Sequence, residues 1–138
     1  MVIVDDHLAL LAIAGRLADL REAFGPVVTT YAFHFRLARA LGDSARIGAL
    51  SRRVADPTAA LRRVLRPPAH RLIVLDSRAS MPEAVDVALH HRANLLLAEL
   101  VGAARHHSAA VRVTPANEGR AWASVMDAEQ LDYATIEP

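Results

Sequence analysis

Short apolar runs, each closed by a polar residue and followed by a helical periodicity, constrain this chain more than any other feature. Val2-Ile3-Val4 ends at Asp5-Asp6, Leu72-Ile73-Val74-Leu75 ends at Asp76, and Ala110 to Thr114 is closed by Pro115. Runs this short, apolar on consecutive residues, suit strands buried on both faces, the condition of a parallel sheet. Between them the period changes. Leu10, Ile13, Leu17, Leu20 and Phe24 recur at three- and four-residue steps, predicting one amphipathic helix capped by Asp6 and stopped by Gly25-Pro26. A helix is expected from Ser44 to Ala55, and Asp56-Pro57 starts another that runs to Leu65. Ser80 or Met81 opens a further helix, with Pro82 and Glu83 in its first turn. The last long helix spans roughly Asn94 to His107, with the stripe Leu97, Leu100, Val101 and Ala104. Residues 27–35 carry both periods. Thr29, Tyr31, Phe33 and Phe35 alternate as in a strand, while Thr29 or Thr30 suits the cap of a helix to Leu41, ended by Gly42; the helix is favoured. Leu131 to Ile136 is a candidate fourth strand. Strands alternating with helices predict one α/β domain over residues 1–138.

Composition narrows the chemistry. The 138 residues are 53% apolar, enough for one core. Charged residues interrupt every apolar run, so none approaches the roughly 20 residues of a membrane span, and no membrane partner is expected. No basic leader precedes the first run, so a cytoplasmic protein is expected. The absence of cysteine removes disulfides and thiolate sites. The absence of lysine removes Schiff bases and a phosphate-loop lysine. Net charge is +1 but uneven: Arg36, Arg39, Arg46, Arg52, Arg53, Arg62, Arg63, Arg66 and Arg71 crowd the middle, and acids crowd the C-terminal stretch. Such a basic half suits phosphates or an acidic partner, or simply solvated helix faces.

Ligands of open parallel sheets gather at the carboxyl ends of the strands, where Asp5, Asp76 and Thr114 fall. VIVDDHLALLAIAGR resembles the opening strand and helix of a PIN domain, the fold of VapC-type toxin ribonucleases, with Asp5 at the acid position. VVTTYAFHFRLARAL is similar to the family's "vvTs…laE" segment, with Phe35 where the Glu belongs. RLIVLDSRASMPEAVDVAL resembles the strand and helix that follow the family's helical insert. LAELVGAAR resembles the "DAlhvAlAr" helix, with Leu97 at the Asp position, and VRVTPAN resembles "lvTxD", with Thr114 kept and Asn117 the nearest polar substitute.

The resemblance spans nearly the whole chain. It implies a PIN-like three-layer α/β/α domain with a mostly parallel central sheet of about 4–5 strands. It also implies a cleft where clustered carboxylates hold Mg²⁺ or Mn²⁺ to activate water against a phosphodiester. Phe35 and Leu97 remove two negative charges from that cleft. The expectation is therefore a degenerate relative, catalytically impaired or inactive and without a cofactor, acting as a protein- or RNA-binding module. The alternative is an active Mg²⁺- or Mn²⁺-dependent VapC-type ribonuclease, with Asp5 catalytic and metal-binding and Asp6 and Asp76 as further ligands. Glu99 could compensate for a lost acid, although two residues from Leu97 turn it about 200° away round a helix. Asp5 and Asp6 equally suit helix capping. Thr29, His34, Phe35, Asn94, Leu97, Thr114 and Asn117 are expected to line the pocket, and Arg36, Arg39, Arg52 and Arg53 to meet phosphate or a partner. Candidate partners are a second copy, since PIN domains often pair as symmetric dimers, an antitoxin-like or other protein, and RNA.

A receiver-like signalling domain is a minor alternative, since VIVDDH and LIVLDSRASMP resemble its acidic strands. The wide separation of Asp6 from Asp76 and the missing lysine oppose it. His90-His91 and His106-His107 point about 100° apart within each pair, so neither chelates alone, and surface positions near helix ends are expected. Trp122 is expected in the core or an interface.

Overall fold

The computed structural model describes residues 1–43 and 54–138. The elements are β1 (Val2–Val4), α1 (Asp6–Ile13), α2 (Ala18–Phe24), β2 (Val27–Thr29), α3 (Tyr31–Gly42), α4 (Pro57–Leu65), β3 (Ile73–Val74), α5 (Met81–His91), α6 (Leu95–His107), β4 (Ala110–Val113), α7 (Trp122–Ala128) and β5 (Tyr133–Thr135). The strands form one five-stranded sheet in the order β3-β2-β1-β4-β5, and every neighbouring pair is parallel. The expected helix from Ser44 to Ala55 falls almost wholly outside the described residues.

Alternation along the strands splits the core in two. Ile3, Val28, Val111 and Val113 face α5, α6 and α7 in one cluster. Val2, Val4, Val27 and Ala110 face α1, α3 and α4 in the other. The sheet is thus the middle layer of a three-layer α/β domain. α3 bridges the two clusters, since Phe33 belongs to the first and Leu37 and Leu41 to the second. No helix among the described residues is long and apolar enough to cross a membrane.

Three expectations need correction. Val27–Thr29 is a strand, and the helix follows it at once, capped by the Thr30 hydroxyl. Two elements so close together blend their periods within one window. The expected first helix is two, because Gly15 takes φ +79°, a left-handed turn suited to glycine. Arg71 closes that break, its guanidinium lying against Gly15 and donating to the Ile13 carbonyl at 2.8 Å. Leu17 and Leu20 resume the same spacing beyond the turn, so periodicity conceals it. The N-cap of α1 is Asp5 rather than Asp6: Asp5 has extended backbone and accepts from Leu8 N–H at 2.9 Å.

The histidine pairs lie at the ends of α5 and α6 as expected, His90 and His106 exposed and His91 and His107 half-buried, and two of them have carboxylate partners. His91 donates to Glu129 at 2.8 Å with both side chains mostly buried, and His106 meets Glu83 at 3.0 Å. That contact with His106 is the main reason Glu83 is held below the usual carboxylate range. Trp122 is buried and packs edge-on to Phe33.

α5 and α6 form a tight hairpin turned by Arg92 at φ 52°. Their closest approach is at Gly102, where a Cβ would lie 2.5 Å from Ala84 N and 2.6 Å from Ala84 Cα. Backbone cannot rotate out of the way as a side chain can. Gly102→Ala is therefore expected to lower stability by about 1–3 kcal/mol in urea denaturation despite the better helix propensity of alanine. A variant as stable as the wild type would contradict this packing.

Candidate functional site

The chain builds the sheet from β1 outward through β2 to β3, then returns to place β4 on the other side of β1. The direction of winding reverses between β1 and β4, and the crevice outside their carboxyl ends is where such sheets bind ligands. Asp5 follows β1 there, and Thr114 follows β4.

Asp5 is fully buried, yet both its oxygens are satisfied. Oδ1 accepts from Leu8 N–H at 2.9 Å. Oδ2 accepts from Thr114 N–H and from the Thr114 hydroxyl, each at 2.7 Å, and from Asn117 Nδ2 at 2.8 Å. Four donors on one carboxylate are what a buried charge needs in the absence of bulk water. Asp6, 1% exposed, accepts from His7 N–H at 3.0 Å and from Asn117 Nδ2 at 2.8 Å. Its main partner is Arg36, which reaches from α3 with Nε on Oδ2 at 2.6 Å and Nη2 on Oδ1 at 2.8 Å. This is a two-pronged guanidinium–carboxylate fork. Arg36 also donates to Asn117 Oδ1 and lies 5.0 Å from the Phe33 ring centroid. Asn117 therefore ties Asp5, Asp6 and Arg36 into one network. At its margin Tyr133 donates to Glu118 at 2.9 Å, and burial, then Glu118, pushes the Tyr133 phenol above its ordinary range.

The other residues singled out from the sequence serve elsewhere. Thr29 donates to the Val4 carbonyl at 2.8 Å, joining β2 to β1. His34 Nε2 donates to the Val64 carbonyl at 2.7 Å, tying α3 to α4. Phe35 is exposed and lines an apolar groove beside α5, while its neighbour Arg36 is the side chain facing Asp6. Asn94 caps α6, accepting from Leu97 N–H at 3.0 Å, and Leu97 is core. Asp76 is exposed and forked by Arg78, which holds its carboxyl down at about 2. Arg39 is exposed, and Arg52 and Arg53 lie outside the described residues.

Glu99 meets another helix rather than the crevice. It is buried, as is everything from Leu97 to Ala104, so α6 has no solvent face there. Its Oε2 accepts from Ala32 N–H at 2.7 Å and so caps the first turn of α3. The signal was present: apart from Glu99, that stretch is apolar throughout, the pattern of a helix buried all round. Among the described residues, no group of three or more His, Asp or Glu side chains is placed to hold a metal ion.

Arg36→Ala would leave Asp6 buried without its cation. The expected loss of stability is about 2–4 kcal/mol, below the full cost of breaking a buried pair because the Arg36 side chain is 38% exposed. Asp6→Asn in the same background should recover part of it, with a coupling of at least about 1 kcal/mol in a double-mutant cycle. Additive losses would mean that the fork carries no energy of its own.

No protein-family model matches this chain, and no curated protein matches it in sequence. Its fold is similar to the crystal structure of PAE2754 from Pyrobaculum aerophilum, with a TM-score of 0.60 over 97% of this chain and 87% of that one. The two share 17% of their residues, a level at which the likeness concerns the fold.

Proposed function

We propose that this chain is a non-catalytic binding module, a degenerate PIN-like relative of VapC-type ribonucleases that works through protein contact. The observation that carries the reading is the Arg36 fork on Asp6. It supplies positive charge at the crevice as a fixed guanidinium. A guanidinium has N–H donors and no vacant orbital, so it neither coordinates a water nor lowers the pKa of one.

A divalent cation does not fit these residues. Mg²⁺ requires free carboxylate lone pairs in near-octahedral array. Asp5 already accepts four donors and Asp6 four more, counting both Arg36 nitrogens. Glu99 is turned to the backbone of α3, and Asp76 is forked by Arg78. The apolar groove of α3 and α5 beside the crevice favours a protein over RNA as partner. The sheet order 3-2-1-4-5 also differs from the 2-1-3-4-5 order of receiver-like sheets.

The test is Mn²⁺ titration by calorimetry together with RNA cleavage, for the wild type and Asp5→Asn. The expected outcome is no saturable binding below about 1 mM and uncut RNA in every arm, with or without chelator. Cleavage that requires Mn²⁺ and disappears in Asp5→Asn would establish the ribonuclease reading instead.

A further inference from the structure

Four arginines among the described residues are buried or half-buried: Arg21, Arg36, Arg71 and Arg112. Two of them face carboxylates, Arg36 meeting Asp6 at 2.6 Å and Arg112 meeting Asp132 at 2.9 Å. Arg21 and Arg71 form no ion pair with any described residue, and they line one notch together with His70, Leu17 and Ala18. We propose that this notch binds the phosphate monoester of a small organic molecule. It lies where α2 leads into β2 and where His70 and Arg71 precede β3, at the amino edge of the sheet. The Asp5 crevice is at the carboxyl edge, so the site does not depend on the protein-binding reading.

Taking a guanidinium partly out of water weakens its hydration, and a carboxylate usually replaces what is lost. Two such cations on one concave surface also repel each other, and an anion entering between them relieves both costs. Glu22 is exposed on the same notch but pairs with neither arginine, so the excess charge there is positive.

The donors are held in place before any ligand arrives. Pro68 O accepts from Arg71 N–H at 2.8 Å and from Leu72 N–H at 3.1 Å, closing the turn that carries His70 and Arg71. Arg71 Nη1 donates to the Ile13 carbonyl at 2.8 Å, and the guanidinium rests against Gly15, which has no side chain to displace it. Its Nε and Nη2 have no acceptor among the described residues, and neither has the Arg21 guanidinium. A guanidinium fixed in this way loses little freedom when a ligand binds.

The chemistry of the ligand follows from these donors. Planar forks match phosphate oxygens two at a time, and two forks with an imidazole suit the three free oxygens of a monoester better than the two of a carboxylate. The notch holds about 420 Å³, the size of a small-molecule site rather than that of a bare ion. Leu17 and Ala18, at the start of α2, offer apolar contact to the organic group.

Calorimetric titration of the full chain in phosphate-free buffer, read beside its amide NMR signals, tests the proposal. The probes are phenyl phosphate, inorganic phosphate and a single-stranded oligonucleotide without terminal phosphates. Phenyl phosphate is expected to bind with a Kd below about 1 mM, at least about 10-fold tighter than inorganic phosphate, moving the amide signals of Gly15, Ala18 and Arg71 together. Arg21→Gln should weaken it at least about 10-fold. Arg120→Gln, the same loss of charge at an exposed arginine beyond β4, should leave it unchanged. Circular dichroism checks folding, and Arg21→Lys, which keeps the charge without the fork, replaces an unfolded Arg21→Gln and should weaken binding at least about 3-fold. No saturable binding up to about 10 mM overturns the proposal, as do signals that move elsewhere or equal losses in Arg21→Gln and Arg120→Gln. Inorganic phosphate bound as tightly as the ester removes the organic group from the site. An oligonucleotide bound more tightly than the ester through the same amides would make this a nucleic-acid site and overturn the small-ligand assignment.

Discussion

Asp5 carries its carboxylate in a place with no exposure to solvent, and the end of the sheet is arranged around keeping it there. A buried carboxylate needs hydrogen-bond donors in place of water. Three parts of the chain supply them: the first turn of α1, Thr114 at the end of β4, and Asn117 beyond it. The same side chain therefore caps a helix, pins β4 beside β1 at its carboxyl end, and positions an amide. Losing any one donor would leave lone pairs unsatisfied in a dry environment, which is why the arrangement is cooperative.

The consequence reaches Asp6 next door. Its charge is balanced from α3 by Arg36, so the two adjacent acids are held by different means, one by dipoles and one by a cation. Asn117 joins them through a donor shared between both carboxylates and an acceptor on Arg36. Hydrogen-bond donors and one guanidinium thus occupy both carboxylates of this crevice. The apolar exposure lies immediately beside it, since Phe35 and Arg36 are successive residues of α3 facing the groove and the crevice respectively.

The His106–Glu83 pair and the Gly102–Ala84 contact join α5 to α6, and His91 ties the end of α5 to Glu129 just after α7. A hairpin held this firmly can leave Met81, Val85 and Leu89 in solvent without collapsing onto them. The buried side of α5 is carried by Val87 alone among its fully covered residues, and α6 supplies the rest of that core. Packing energy thus concentrates in α6, and α5 keeps an outward face.

Much of the frame was legible in the sequence because it depends on local rules. The apolar runs at Val2, Ile73 and Ala110, the helix start at Asp56, and the polar residues closing each strand follow from the periodicity and backbone needs of single elements. Asp5 and Thr114 could be placed at one end of a parallel sheet for the same reason. What only the tertiary structure decided are the pairings between elements far apart in the chain: Arg36 with Asp6, Glu99 with the first turn of α3, and Arg71 closing α1. It also decided that Phe35 faces outward while Arg36 turns in. Periodicity tells which side chains share a face of one helix or strand, but which neighbour that face meets depends on how the layers stack.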